Sequence, residues 1–104
     1  MLQGEKVLQE FVESVRKRFG ERIKRIILYG SYTRGDYGDD SDIDVLVVGD
    51  VTLDELIEVS FPLLLKYGVY VSPHVMTDEH FNYLDREGYS FIKNVKKEGR
   101  TIHA

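Results

Sequence analysis

Two carboxylates spaced two residues apart, Asp42 and Asp44, are the residues of this chain best suited to chemistry. They open an apolar run over residues 45–48, which predicts a strand. Side chains two apart in a strand point to the same face, so the two carboxylates would lie side by side. Such a pair repels itself unless a cation lies between its members. Hard oxygen ligands of this kind suit Mg²⁺ or Mn²⁺.

A glycine and a serine, Gly30 and Ser31, follow an earlier apolar run, and ten residues separate them from Asp42. The free backbone N–H groups of a Gly-Ser turn suit a phosphate, and glycine lets the backbone approach one closely. Taken alone, the turn would be an ordinary exit from a strand, and the carboxylates would be a solvated strand start. The spacing and the two flanking apolar runs together favour a site for metal and phosphate.

A calcium loop of the EF-hand kind is an alternative for the same residues. Asp40, Asp42 and Asp44 fit the first three ligand positions of such a loop. The glycine required next is replaced by Val45, and the glutamate required at the end is replaced by Val51. This alternative is therefore rejected.

The segment resembles the signature of the nucleotidyltransferase superfamily of DNA polymerase beta, and is most similar to the small stand-alone members called minimal nucleotidyltransferases. Their signature is Gly-Ser, ten residues, then Asp-x-Asp, often with a serine before the first aspartate. In this chain it consists of Gly30, Ser31, Ser41, Asp42 and Asp44, with Arg34 and Gly35 also at familiar positions. The signature covers about fifteen residues, and the order of the predicted elements also fits the family.

The resemblance implies transfer of a nucleoside monophosphate from a nucleoside triphosphate, with ATP as the expected donor, to an acceptor. It implies that Asp42 and Asp44 bind Mg²⁺ or Mn²⁺, as the catalytic and metal-ligating pair. It implies that the nucleotide is bound by Gly30, Ser31, Arg34 and Ser41. Arg34 could equally brace the loop by pairing with an aspartate. Family members are often encoded beside an all-helical partner of the HEPN type, so a HEPN-type acceptor protein, with this chain as a possible antitoxin, is also expected.

A departure from the family pattern concerns a third carboxylate, which catalytic members usually carry on the strand after the second helix. The matching strand, residues 69–75, contains no aspartate or glutamate. Tyr70, Ser72 and His74 would share one face of a regular strand, and one of them would occupy the vacant place. His74 could act as a base, although an exposed edge-strand histidine is the simpler interpretation. A second hypothesis is therefore a module that binds nucleotide or partner without turnover.

Hydrophobic periodicity predicts helices alternating with strands, and so helices packed on a sheet. Together with the resemblance, this gives the fold class: α+β, a polymerase beta-like nucleotidyltransferase fold with a mixed sheet of at least three strands, the acidic pair being on a central strand.

The predicted strands are 23–29, 42–48 and 69–76. The predicted helices are 7–19, one capped by Thr52 and ended by Gly68, 77–84 and one capped by Ser90 and ended by Gly99. Pro62 predicts a kink or break near 58–61, and Pro73 an edge strand or a bulge.

The composition is that of a soluble globular protein, with 42% hydrophobic and 31% charged residues, and the 104 residues suit one domain over 1–104. There is no cysteine, which excludes disulfides and thiolate metal sites. No long apolar stretch or signal peptide is present, so a cytoplasmic protein without membrane contact is expected. The net charge of −4 argues against a dedicated binder of duplex nucleic acid, although basic residues cluster at 16–25 and 93–100.

Overall fold

The computed structural model describes residues 3–29 and 43–103, and these ranges form helices packed on a four-stranded sheet. The helices are α1 (Gln3–Phe19), α2 (Leu53–Tyr67), α3 (Asp78–Glu87) and α4 (Ser90–Glu98). The strands are β1 (Ile23–Tyr29), β2 (Ile43–Gly49), β3 (Val71–Met76) and β4 (Arg100–His103). A 3₁₀ turn, Gly20–Arg22, joins α1 to β1. No helix in these ranges has the length and apolar character needed to cross a membrane.

The sheet is mixed, and its strand order is β3-β2-β1-β4. β2 runs parallel to β3 and antiparallel to β1, while β1 and β4 are antiparallel. β2, which carries Asp44, is therefore an interior strand with a hydrogen-bonded neighbour on each side. The predicted fold class is confirmed, including the mixed sheet and the central position of the acidic strand.

Helices cover both faces of the sheet, so apolar residues of β1 and β2 are buried on both sides. One face packs against α1 and α2 through a cluster that includes Phe11, Ile26, Leu28, Val45, Val47 and Leu56. The other face packs against α3 and α4 through a smaller cluster: Ile27, Leu46, Val48, Phe81, Ile92 and Val95. This two-sided burial explains why β1 and β2 are near-continuous apolar runs instead of alternating sequences.

The capping box predicted for the second helix is present at the start of α2. The Thr52 hydroxyl accepts a hydrogen bond from the Glu55 backbone N–H at 3.1 Å, and the Glu55 carboxylate accepts one from the Thr52 N–H at 2.9 Å. Gly68, in the left-handed conformation, ends the helix as predicted. The helix continues through Pro62 without a break. Burial of Leu56, Val59 and Leu63 offsets the hydrogen bond that the proline cannot make.

Pro73 lies on an edge strand, as one of the two interpretations predicted. β3 begins at Val71, two residues later than expected, and its register against β2 is regular through Pro73. An edge strand tolerates proline because one row of its N–H groups makes no ladder hydrogen bond. β3 therefore holds Ser72 and His74 in regular alternation beside β2.

Two features of the C-terminal part differ from the sequence prediction. β4 was not predicted, because four residues are too few to show an alternating pattern. Ser90 does not cap α4: the N-cap is Tyr89, and no side chain makes the capping hydrogen bond. The cap of α3 was predicted correctly, since the Thr77 hydroxyl accepts from the His80 N–H at 3.0 Å.

We expect Thr52→Ala to lower the free energy of unfolding by about 1 kcal/mol, because it removes one half of the capping box. Ser90→Ala is the matched control, since Ser90 makes no capping hydrogen bond, and it should change stability by less than about 0.5 kcal/mol. Urea unfolding followed by circular dichroism measures both. Equal losses in the two variants would contradict the assigned caps.

Candidate active site

Asp44 lies near the start of β2, on the sheet face that packs against α3 and α4. Leu46 and Val48 follow it on the same face and are buried. The Asp44 side chain is 34% exposed, because it lies beyond this buried cluster. A carboxylate in this position keeps contact with water while its backbone is fixed by two neighbouring strands.

The strands on either side bring further polar side chains to Asp44. Tyr29 of β1 and Ser72 of β3 are its direct partners in the sheet register. His74 lies two residues beyond Ser72 on the same face, and its Nε2 is 3.7 Å from the Asp44 Oδ1. The predicted common face of Ser72 and His74 is therefore confirmed, whereas Tyr70 precedes the strand.

The other predicted site residues lie outside the described residues. These are Gly30, Ser31, Arg34, Ser41 and Asp42. Their roles in binding nucleotide and metal stay predictions. Among the predicted site residues, Asp44 is the one that lies within the described ranges, and Asp42 comes two positions before it in the chain.

Aromatic rings form one side of the surroundings of Asp44. The Tyr29 ring is 5.8 Å from the His74 ring and meets the Phe91 ring edge-on at 5.9 Å, between centroids. Burial, and secondly the negative charge of Asp44, raise the pKa of Tyr29 to about 12. The phenol is therefore neutral at physiological pH and can donate a hydrogen bond. Phe91 belongs to α4, and no pattern in the sequence predicts that it lies near β1.

The donor set around Asp44 fits a divalent cation. A half-exposed carboxylate and an imidazole nitrogen lie on one face, and the sequence places a second carboxylate two residues earlier. Within residues 3–29 and 43–103 no group of three or more His, Cys, Asp or Glu side chains could hold a metal by itself. Such an open set is typical of Mg²⁺ sites, where substrate phosphates and water supply the remaining oxygens.

Comparison with known proteins identifies the class to which this fold and site belong. The family model described as a nucleotidyltransferase domain matches residues 8–102. The chain therefore belongs to the nucleotidyltransferase domain family. A relative from Methanocaldococcus jannaschii, provisionally named a protein adenylyltransferase, is 48% identical over 99 residues, covering 95% of this chain and 97% of the relative. A second one from the same organism, with the same kind of name, is 36% identical over 72 residues, covering 64% of this chain and 73% of the relative.

Solved structures share the fold at lower sequence identity. A protein from Sulfolobus solfataricus, provisionally named a nucleotidyltransferase, is 26% identical with a TM-score of 0.50, covering 75% of this chain and 70% of that one. A variant of the toxin–antitoxin MntA-HpeT gives a TM-score of 0.54 at 21% identity, covering 98% and 72%. A toxin–antitoxin crystallised with AMP-PNP gives 0.52 at 20% identity, covering 88% and 68%. The two toxin–antitoxin structures support the fold alone.

The raised pKa of Tyr29 predicts a loss of stability at high pH. Because the folded-state pKa lies above the ordinary value of 10.0, the contribution of Tyr29 is complete below pH 10 and is lost as pH rises toward 12. Tyr29→Phe should remove this decline between pH 10 and 12, measured by urea unfolding at several pH values. Asp44→Asn should return the pKa of Tyr29 only part of the way toward 10.0, because burial is the larger cause of the shift. Tyr83→Phe is the control and should leave the decline in place.

Proposed function

We propose that this protein transfers AMP from ATP to a hydroxyl group of a partner protein of the HEPN type, with Mg²⁺ or Mn²⁺ as cofactor. The observation that carries the proposal is the half-exposed carboxylate of Asp44, held on the central strand of a nucleotidyltransferase-family sheet. The provisional name of the relative at 48% identity supports both AMP as the transferred group and protein as the acceptor.

In the proposed reaction a bond forms between the acceptor oxygen and the α-phosphorus, and the bond from that phosphorus to the β-phosphate oxygen breaks. Pyrophosphate leaves, and the acceptor hydroxyl gives its proton to water. A bound divalent cation supplies charge neutralisation for the phosphates. Asp42 and Asp44 would hold it. Gly30 and Ser31 would bind the terminal phosphates through backbone N–H groups and a hydroxyl.

The helices that cover the sheet face of Asp44 expose aromatic side chains. Tyr83 of α3, Phe91 of α4 and Tyr89 between these helices are 44%, 38% and 50% exposed. Aromatic side chains are enriched in protein interfaces, so these rings favour a protein acceptor over a small molecule. Toxin–antitoxin proteins share this fold, and one of them was crystallised with AMP-PNP, so the fold is compatible with the proposed nucleotide substrate and antitoxin role.

A second candidate function is nucleotide binding without turnover. The observation that favours it is β3, which carries Ser72 and His74, and no carboxylate, on the face of Asp44. Incubation with ATP distinguishes the two functions, because a binding module would retain ATP unchanged while a transferase would label its partner.

We expect Asp44→Asn to abolish AMP transfer, because it removes a charge from the metal site with little change in volume. The measurement is incorporation of label from α-labelled ATP into a purified HEPN-type protein encoded beside this chain. Asp50→Asn is the matched control: it makes the same change just beyond the other end of β2 and should keep wild-type transfer. Full transfer by Asp44→Asn would refute the proposed mechanism.

We also expect the divalent cation to bind weakly to the free protein and more tightly with nucleotide. Two carboxylates supply too few ligands for a closed site, so phosphate oxygens must complete the coordination sphere. Calorimetry with Mg²⁺, in the presence and absence of a non-hydrolysable ATP analogue, measures the difference. If Mg²⁺ binds tightly to the nucleotide-free protein and Asp44→Asn leaves this binding unchanged, the metal site does not include Asp44.

A further inference from the structure

We propose that the His74 imidazole, together with Asp44, is a protein ligand of the cation at this site, and that it shifts the preference of the site from Mg²⁺ toward Mn²⁺. The inference rests on the proposed function, since it requires a divalent cation at Asp44. It goes beyond that function by assigning a ligand and a metal preference that an all-carboxylate site would not have.

The distance between the two candidate donors fits a shared ion. The His74 Nε2 lies 3.7 Å from the Asp44 Oδ1. Adjacent ligands of an octahedral ion with bonds of about 2.1 Å lie about 3 Å apart. The side chains are 49% and 34% exposed, so small rotations can bring the two atoms to that spacing. A cation placed between them would contact both.

The sheet register explains why His74 can take this position. Ser72 is the direct partner of Asp44, and its side chain is short. His74 lies two residues further along the same face, where the longer imidazole extends back toward Asp44. The residue opposite His74 is Leu46, which is buried and apolar and offers no donor.

The contact between Asp44 and His74 has little value as a structural interaction. A separation of 3.7 Å is too long for a hydrogen bond, and ion pairs this exposed contribute little to stability. The Tyr29 ring packs at 5.8 Å from the imidazole and limits the directions in which it can turn. His74 is thus held beside a carboxylate without being bonded to it, as a metal ligand would be before the metal binds.

The chemistry of an imidazole predicts the metal preference. A neutral nitrogen ligand in place of a carboxylate removes one negative charge from the site. Mg²⁺ prefers oxygen ligands, whereas imidazole suits transition-metal ions, for which nitrogen affinity rises from Mn²⁺ onward. A cation site that includes Asp44 and His74 should therefore discriminate less strongly in favour of Mg²⁺ than a site with a carboxylate in place of His74 would.

The test of the ligand is electron paramagnetic resonance of Mn²⁺ bound with a non-hydrolysable ATP analogue. Protein labelled with ¹⁵N-histidine should show a ¹⁵N hyperfine coupling to Mn²⁺, which nitrogen atoms of nucleotide and buffer cannot produce. His74→Ala and His74→Gln should both lose this coupling. His80→Ala is the control: His80 stacks on Tyr83 in α3 and should leave the coupling intact.

The test of the preference is the ratio of Mn²⁺ to Mg²⁺ affinity in the same complex. His74→Ala should weaken Mn²⁺ binding by about tenfold or more, as loss of a coordinating or supporting group commonly does. His74→Asp should bind Mg²⁺ more tightly than wild type and lower the Mn²⁺ to Mg²⁺ ratio by about tenfold, because it restores a hard oxygen ligand. His80→Ala should leave both affinities unchanged.

Absence of histidine coupling in wild type, its persistence in both His74 variants, or failure of Mn²⁺ to bind would each overturn the assignment. An unchanged metal ratio in His74→Asp would overturn the preference. The proposed function is judged separately by AMP transfer and its loss in Asp44→Asn. Active wild-type enzyme without histidine coupling would reject the ligand while keeping the function.

Discussion

A carboxylate on a strand that is buried on both faces stays hydrated only beyond the apolar side chains that cover the strand, and this constraint shapes the site around Asp44. Along one face of β2, Leu46 and Val48 lie beneath α3 and α4, whereas Asp44 is partly open to water. An ionised group two residues further along the strand, in place of Leu46, would lose its hydration, at a cost of several kcal/mol or more. The position of Asp44 is therefore set by the extent of the second apolar cluster.

The same constraint divides the two sheet faces by role. The face under α1 and α2 holds the larger cluster, and its strand residues are apolar along the full length of β2. The face under α3 and α4 is apolar in its middle and becomes polar at Asp44, Ser72 and His74. Tyr29 lies at the boundary, which explains why burial contributes more than the nearby charge to its raised pKa. The larger apolar cluster therefore lies on one face, and the candidate site lies at one end of the other.

Sequence reasoning succeeded where local chemistry determines structure. The apolar run of β1, the Thr52–Glu55 capping box and the Gly68 cap all depend on residues close together in the chain, and all were predicted correctly. The break that was one of the two expectations for Pro62 does not occur, because tertiary burial of α2 outweighs the local penalty of the proline. β4 is short and depends on pairing with β1, and no local pattern reveals such a partner.

For the site, the sequence predicted which residue types come together but not their spacing. The alternation of β3 correctly placed Ser72 and His74 on one face, because a period of two needs no knowledge of the neighbouring strand. It could not show that Ser72, and not Tyr70, lies opposite Asp44, since register depends on how two distant segments align. The 3.7 Å approach of His74 to Asp44 follows from that register. The register therefore brings the nitrogen of His74, on a strand that carries no carboxylate, close to Asp44.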